Sequence, residues 1–558
     1  MSNSLERFVL GLLFVTIGAA AAAACGGGSS GGGGDTSDAG GTVVQEPGPR
    51  ITGVAVDGSA GAKVRQGYGA TPTNTAVTVR VTGDFLDGAT GASVGTIAGT
   101  ITASTRTSAT FTILVPHGAP LGVQPVNLST PRGLQSFAQG VTITPITSAP
   151  TGIDEAAGAS ERTGTDESPF RSLTKALSVA AAQDTILLED GSYNQDNGEV
   201  FPLKDPQSQD IPTNIRAGIT IKGQSSAAQL VGPVAATECT GSTPWFVGLA
   251  LAGDATIDTL GIQKFCTGIY ATAGNVTVRD VDVHDNSYEG MNVSGTSSVM
   301  LDTATIQSNY RGGVSAYGTS TISLDNVSIQ SNGPNGGPGL SLGEKAVATL
   351  TNGHVSANYE GIYLYGTGAL TVTGTDIYNN KTGGIDSSSS NAPVTITGGA
   401  KIHDQPTGVS FDGALVGTAQ LSISGATFND SNIDISVNDA CAVKVRGTTF
   451  GGATAAAATL IRVADGDGAP IKLDFGTDAA TDRGENYFYV AAGGYGFHDY
   501  RQSSTVYINV YGNHWPKSPA PTAACTDINP AGAPYSWFFE HIGTCNSRPY
   551  TGNVLVGL

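Results

Sequence analysis

The chain has 558 residues, of which 78 are Gly and only 13% are charged, enough for two or more domains or one long solenoid. Gly, Ser, Thr, Asn and Val crowd its middle, a balance that favours short strands and tight turns over helices and sets the expectation of an all-β fold. With Asp+Glu at 46 against Lys+Arg at 27, the formal net charge of -19 disfavours nucleic acid and anionic lipid surfaces as partners. Acidity of this kind ordinarily serves solubility; a Ca²⁺ site is the sharper reading, and no other cofactor is expected.

Taken in chain order, residues 1–24 run from a short polar start through an apolar stretch beginning at Phe8, and "AAAC" ends at Cys25. This resembles a bacterial lipoprotein signal, and the resemblance implies lipidation of Cys25. Ala22 stands where that family usually has Leu, and an ordinary signal peptide cut after an A-x-A site is the plainer reading. Either way the mature chain is expected to be exported, with a membrane contact only through the lipid. Gly26 rather than Asp after the cysteine implies, by the same resemblance, the outer membrane and a cell-surface position. Residues 25–49, Gly/Ser/Asp-rich, read as a flexible tether.

Residues 50–147 alternate apolar and polar positions between turn signals, as in "RITGVAVDG", "TAVTVRVTGDFL", "SATFTILVP", "QPVNLSTPRG" and "GVTITPI". Several short strands at this spacing predict a β-sandwich. The stretches "VTVRVTGDFLDGA" and "ILVPHGAPLGVQPVNLSTPRG" resemble the IPT/TIG immunoglobulin-like family, which implies a spacer or adhesive module without catalytic residues.

From about 150 the texture changes. "SPFRSLTKALSVAAAQDTILLEDGSYNQDNGEVFPL" predicts one amphipathic helix over 170–182 and then a strand, "DTILLEDGSY". A helix there would cover the open end of a solenoid. The segment resembles the N-terminal cap of an uncharacterised bacterial family of pectin-lyase-like right-handed parallel β-helices, which implies that fold for 150–515.

Internal repetition supports a solenoid independently. Aligning "VHDNSYEGMNV", "IQSNYRGGVSA", "IQSNGPNGGPGLSL", "VSANYEGIYL", "IYNNKTGGIDS" and "IHDQPTGVSF" puts Asn286, Asn309, Asn332, Asn358, Asn380 and Gln405 at one position, every 22 to 26 residues. Asparagine at a repeated turn can donate to one coil and accept from the other, so these six read as a structural ladder. Val276, Val278, Val281 and Val283 are its predicted inward wall.

Period-two alternation then sends the remaining side chains outward. One column runs Asp282, Thr305, Ser328, His354, Asp376, Lys401, which sets His354 beside Asp376 as a candidate general base, against the plainer reading of a solvated polar column. A second follows the ladder as Tyr288-Glu289-Gly290, Tyr310-Arg311-Gly312 and Tyr359-Glu360-Gly361. The strands after it turn Tyr270, Asn292, Ser315, Ser341, Tyr363, Asp386 and Ser410 outward. Tyrosines at coil spacing can follow a glycan or simply cover the sheet. Arg311 with Tyr310 or His284 could serve a lyase, and Asp280, Asp282, Asp285 and Glu289 could supply a hydrolase's carboxylates, although Asp280 fits turn capping better. Polygalacturonase-like and pectate-lyase-like signatures are absent. "YGFHDY", 495–500, only superficially resembles the mannuronan-epimerase YGFDPH.

Oxidising conditions pair Cys525 with Cys545 and Cys239 with Cys266, leaving Cys441 over, and no spacing suggests zinc. Trp515, Trp537, Phe538 and Phe539 are read as plugging the C-terminal end within a cap over 516–558. The expectation is a surface glycan-binding or adhesive protein whose partner is an extracellular or cell-wall polysaccharide. A polysaccharide lyase or glycoside hydrolase is the alternative, with His354, Asp376 and Arg311 as its candidates.

Overall fold

The computed structural model describes residues 47–514, apart from 60, 69–75, 153–163, 167, 205–210, 235–238, 240–243, 391, 414–418, 440, 452–457, 464–470, 478, 490–494, 500–505 and 510–512, together with 539–541. Cys25, Cys525, Cys545, Trp515, Trp537 and Phe538 lie outside the described residues, as do the predicted signal segment and almost all of the tether and C-terminal cap.

Alternation decides the first module. Its eight strands hydrogen-bond in the order Arg50–Val56, Val77–Asp84, Ser108–Ile113, Ile97–Ser104, Gly91–Val94, Gly122–Thr130, Gly133–Thr144, Lys63–Arg65. Every pairing is antiparallel except the last. Val79, Val81 and Phe111 from one end of that order share a buried core with Val126, Leu128, Val141 and Ile143 from the other. The sheet therefore folds back on itself in a sandwich-like way.

The chain leaves this module without a linker. Ile146–Ser148 follows Gly133–Thr144 directly and pairs in parallel with Thr185–Leu188, the next fold's first neighbour. The junction is polar and closed. Asp184, fully buried, accepts the Gly118 and Ala181 N–H groups at 2.9 Å each and lies 2.5 Å from His117 Nδ1. Gln66 accepts the Thr185 N–H at 2.9 Å and donates to the Ala119 carbonyl at 2.6 Å. The sandwich-like module and the first coil are thus joined by side-chain hydrogen bonds as well as by the chain.

The expected helix forms, but over Leu173–Val179 rather than 170–182. Its limits are set by hydrogen bonds. Ser172 Oγ accepts the Lys175 N–H at 3.1 Å, and the Glu199 carboxylate takes the Leu173 and Thr174 N–H groups at 2.5 and 2.9 Å, which satisfies the free donors of the first turn. Phe170 instead joins Ser148 in a parallel bridge, and at the far end Ala180 is already extended. Leu173, Ala176 and Leu177 enter the core of the following fold, so the helix covers its end. "DTILLEDGSY" likewise divides into Thr185–Leu188 and Gly191–Tyr193, strands of two different sheets.

From there the described chain winds through three parallel sheets of 14, 12 and 12 strands, in which hydrogen-bonded neighbours come from successive coils. One coil shows the pattern. Asn275–Arg279 lies in the first sheet, Asp282–His284 in the second and Glu289–Val293 in the third, and Ser298–Asp302 re-enters the first above Asn275–Arg279. Val276, Val278, Val281 and Val283 are at most 2% exposed and join one core that runs the length of the solenoid. Burying each such side chain contributes roughly 1.5–3 kcal/mol before the entropy of ordering is deducted.

The sharp corners need left-handed residues. Thr259, Asp280, Thr303, Asn326 and Asn352 all have φ between 50° and 55° at the corner between the first and second sheets. Asp280 is thus a turn residue, and the short polar side chains of Asp and Asn tolerate that conformation best. The solenoid is a right-handed parallel β-helix.

Candidate functional site

The asparagine corner comes first because it fixes the register of everything outside it. Asn286, Asn309, Asn332, Asn358 and Asn380 are at most 1% exposed and Gln405 is 5% exposed. The Oδ1 atoms of Asn309, Asn332, Asn358 and Asn380 each accept twice from the preceding coil: Asn332 Oδ1 takes the Asn309 N–H at 3.0 Å and Asn309 Nδ2 at 2.9 Å. Each Nδ2 also returns a bond to a strand carbonyl, as Asn332 does to Ile306 at 2.9 Å. The residues are therefore spent on structure. Sequence reading missed a second, shorter ladder near the C-terminal end, where Asn486 donates to Asn513 Oδ1 at 2.8 Å and accepts the Thr448 N–H at 2.9 Å. It sits at a different corner, so the first alignment did not reach it.

On the second sheet the outward column Asp282, Thr305, Ser328, His354, Asp376, Lys401 is in register as read. His354 thus stands beside Asp376 as expected, but the Asp376 carboxylate also has a second histidine. Asp376 bonds His403 Nε2 at 2.8 Å, and His403 Nδ1 meets Asp404 at 2.6 Å, while His354 is exposed. The reason is packing: His403 lies flat on Tyr378, ring centroids 5.2 Å apart and 4° from parallel, which aims its ring nitrogen across at Asp376. His284 is occupied in the same way by Asp285, at 2.9 Å.

The tyrosine column after the ladder needs one correction. Tyr310 and Tyr359 each follow their ladder residue directly, but Tyr288 is one position further on, and its carbonyl accepts the Arg311 N–H at 2.7 Å. Tyr288 therefore stands beside Arg311, whose guanidinium lies 5.9 Å from its ring, rather than beside Tyr310. It is half-buried against Trp245, 4.6 Å between centroids, in a small cluster with Val234 and the disulfide Cys239–Cys266. Cys441 is buried in the solenoid core.

The third sheet's outer face gathers the rest. Tyr270, Asn292, Ser315, Ser341, Tyr363, Asp386 and Ser410 face one another in register from coil to coil. Tyr363 stacks on Tyr365, 5.4 Å apart and 26° from parallel, and Tyr365 meets the edge of Tyr317 at 6.2 Å. Gly343 makes this possible, since a Cβ there would come within 2.5 Å of the Tyr365 ring. Sequence reading missed Tyr317 and Tyr365. Their signal was present, because "YGT" recurs as Tyr317-Gly318-Thr319 and Tyr365-Gly366-Thr367, two residues beyond the column that was followed.

Three carboxyls border these rings. Glu289 is buried, accepts from Asn292 Nδ2 at 2.9 Å and from Ser315 Oγ at 2.8 Å, and Ser341 Oγ in turn bonds Ser315 Oγ at 3.0 Å. Burial pushes its carboxyl above the usual range, and the two donors oppose the shift. Glu360, half-buried, is pushed up to about 8, first by burial and then by Asp386, with which it shares a hydrogen bond. Two carboxyls in such contact hold one proton between them. Among the described residues no group of three His, Cys, Asp or Glu side chains is placed to hold a metal ion. Tyr495–Asp499, from "YGFHDY", is a strand of this same sheet, with His498 in register with Arg462.

A family model for the right-handed β-helix region matches residues 247–400 and 338–471. No curated protein matches the chain. Among solved structures, the catalytic unit of a thermostable GH87 α-1,3-glucanase from Streptomyces thermodiastaticus strain HF3-3 aligns at 13% identity and TM-score 0.40, over 86% of this chain and 90% of that one. The A-module of the Azotobacter vinelandii mannuronan C-5 epimerase AlgE6 aligns at 12% identity and TM-score 0.32, over 68% and 93%. A GH87 α-1,3-glucanase catalytic domain in complex with nigerose aligns at 11% identity and TM-score 0.34, over 86% and 90%.

Proposed function

We propose that this chain is a surface lipoprotein, anchored through Cys25 at the outer membrane, whose IPT/TIG-like module carries a β-helix that binds an extracellular or cell-wall polysaccharide. The observation that carries the reading is the aromatic ledge of Tyr317, Tyr363 and Tyr365 on the third sheet, with the hydrogen-bonding row Glu289, Asn292, Ser315 and Ser341 beside it. Flat aromatic rings offer apolar faces to sugar rings, and coil spacing of about 4.8 Å is close to the length of one sugar unit. The ledge lies on an open sheet face, which suits a long chain better than a small molecule.

The alternative, a polysaccharide lyase or glycoside hydrolase, is less well supported by this geometry. Glycosidase carboxyls stand roughly 5–5.5 or 6.5–9.5 Å apart. Glu360 and Asp386 are in hydrogen-bond contact, which is too close, and Glu289 lies three coils from Glu360, roughly 14 Å, which is too far. Arg311, the candidate for neutralising a uronate, lies over Tyr288, and the Asp376 carboxylate is bonded to His403 rather than His354.

The deciding experiment incubates the chain, with and without calcium, with neutral and acidic polysaccharides and measures both retention on the immobilised glycan and new reducing ends. Retention without new ends is the expected result. New ends from any one polysaccharide would replace binding with catalysis.

A further inference from the structure

We propose that the third-sheet ledge takes an amino-sugar polymer, whose ammonium group is received by Glu360 and Asp386 against the ring of Tyr363; this rests on the glycan-binding reading above. Tyr363 is in register with Asp386 on the next coil, and Glu360 holds the position from which Glu289, three coils earlier, reaches both Asn292 and Ser315, the counterparts of Tyr363 and Asp386. A cation over a tyrosine face is attracted by the ring's quadrupole, and more strongly where water is partly excluded. Cations of this chain already use the neighbouring tyrosines in that way. Lys381 Nζ lies 5.0 Å from the Tyr359 ring centre, and Arg311 lies over Tyr288.

The carboxyl pair supplies the second half of the recognition. Glu360 and Asp386 meet through a hydrogen bond, which two carboxyls can make only by sharing one proton. An ammonium group carries three donors and a full charge. It can donate to both carboxylates while the bridging proton leaves for solvent, so that binding exchanges one proton for one ammonium. A neutral N-acetyl group cannot make that exchange, and a uronate would add a further carboxylate to a face that already carries, besides the pair, Glu289 and, at the rim beside Tyr365, Glu344.

Calorimetry of the whole chain near pH 5, where the chitosan amines are already fully protonated, tests this, with a chitosan hexamer, its fully N-acetylated counterpart and a hexagalacturonate, each in two buffers of different ionisation enthalpy. The chitosan hexamer is expected to bind about tenfold more tightly than the acetylated one, the size of one charged hydrogen bond. The galacturonate should be weakest, and close to one proton should be released per chitosan amine held. Glu360→Gln keeps a hydrogen bond to Asp386 yet has no proton to release, so its binding heat should no longer depend on the buffer. Glu360→Gln with Asp386→Asn should abolish the preference. Equal or tighter binding of the acetylated hexamer, or tightest binding of the galacturonate, would overturn the amino-sugar assignment and leave the glycan reading standing. No binding of any of the three by a chain whose circular dichroism shows it folded would overturn both.

Discussion

The corner between the second and third sheets and the outer face of the third sheet are made by the same coils, yet they obey different rules. At the corner, coil after coil presents Asn in the ladder and Gly a few positions later: Gly268, Gly290, Gly313, Gly339, Gly361, Gly384 and Gly408 are in one register. On the outer face the side chain changes from Tyr270 to Asn292, Ser315, Ser341, Tyr363 and Asp386. Packing against an identical neighbour forces repetition, whereas water imposes none. Residues that break the pattern on the wet side are therefore where a ligand's chemistry can be written.

Removing one ladder residue should give the largest effect. Asn332→Ala strands the Asn309 N–H and Nδ2 donors and removes the bonds to Ile306 and Asn358, all of them buried. Two unsatisfied buried donors cost about 4 kcal/mol together. The expected result is a marked fall in the urea midpoint followed by circular dichroism; an unchanged midpoint would show that the ladder is not what holds the coils in register.

The glycines sharpen the same contrast at smaller scale. A Cβ on Gly313 would stand 2.5 Å from the Gly339 carbonyl and 3.0 Å from Asn332 Nδ2, so it crowds both backbone and ladder. Its outer neighbour Gly312 would meet only the Pro338 carbonyl, at 3.1 Å. Gly313→Ala should cost about 2 kcal/mol and Gly312→Ala clearly less, read from the same denaturation curves.

One coil breaks the corner's rule, and pH should expose it. Asp434 occupies the glycine position of its coil, and Ser431 takes the place of the ladder residue. Asp434 is 1% exposed, and burial, with Asp430 adding to it, holds its carboxyl well above the ordinary range. Because the folded value exceeds the unfolded one of about 4, the stabilising contribution of the protonated form is complete below about pH 4 and is lost as pH rises through the folded value. Asp434→Asn should match the parent chain near pH 4 and be the more stable of the two at pH 8. Equal midpoints at both pH values would mean that Asp434 keeps its charge inside.

These cases show what a single sequence can and cannot convey. The ladder, the inward valines and the outward columns of the second and third sheets were legible because each rests on a fixed spacing that backbone pairing must respect. The Cys239–Cys266 disulfide was legible from a separation of about one coil. Helix ends were less so, because Ser172 and the distant Glu199 decide them through hydrogen bonds. The site proper was least legible. Tyr310 falls out of the column because Glu289 pairs with Gly312 and Pro338 with Glu360, so Tyr288 and Tyr359 share a register one residue beyond it, and Glu360 meets Asp386 diagonally, between columns, where register gives no guidance. His403 went unnoticed as a second partner of Asp376 because ring stacking on Tyr378, not strand order, aims it.

The smallest effect expected is also the one that separates covering from binding. Tyr288 and Tyr363 are both half-buried tyrosines, three coils apart, but Tyr288 packs on Trp245 beside the disulfide, whereas Tyr363 stacks on Tyr365 of its own ledge. Tyr288→Ala should therefore lower the urea midpoint while leaving glycan affinity unchanged. Tyr363→Ala should do the reverse, weakening binding to the best glycan of the panel about tenfold, the worth of one aromatic contact, at little cost in stability. If truncating Tyr363 costs stability and spares affinity, the ledge is a cover for the sheet after all, and the glycan must be sought on another face.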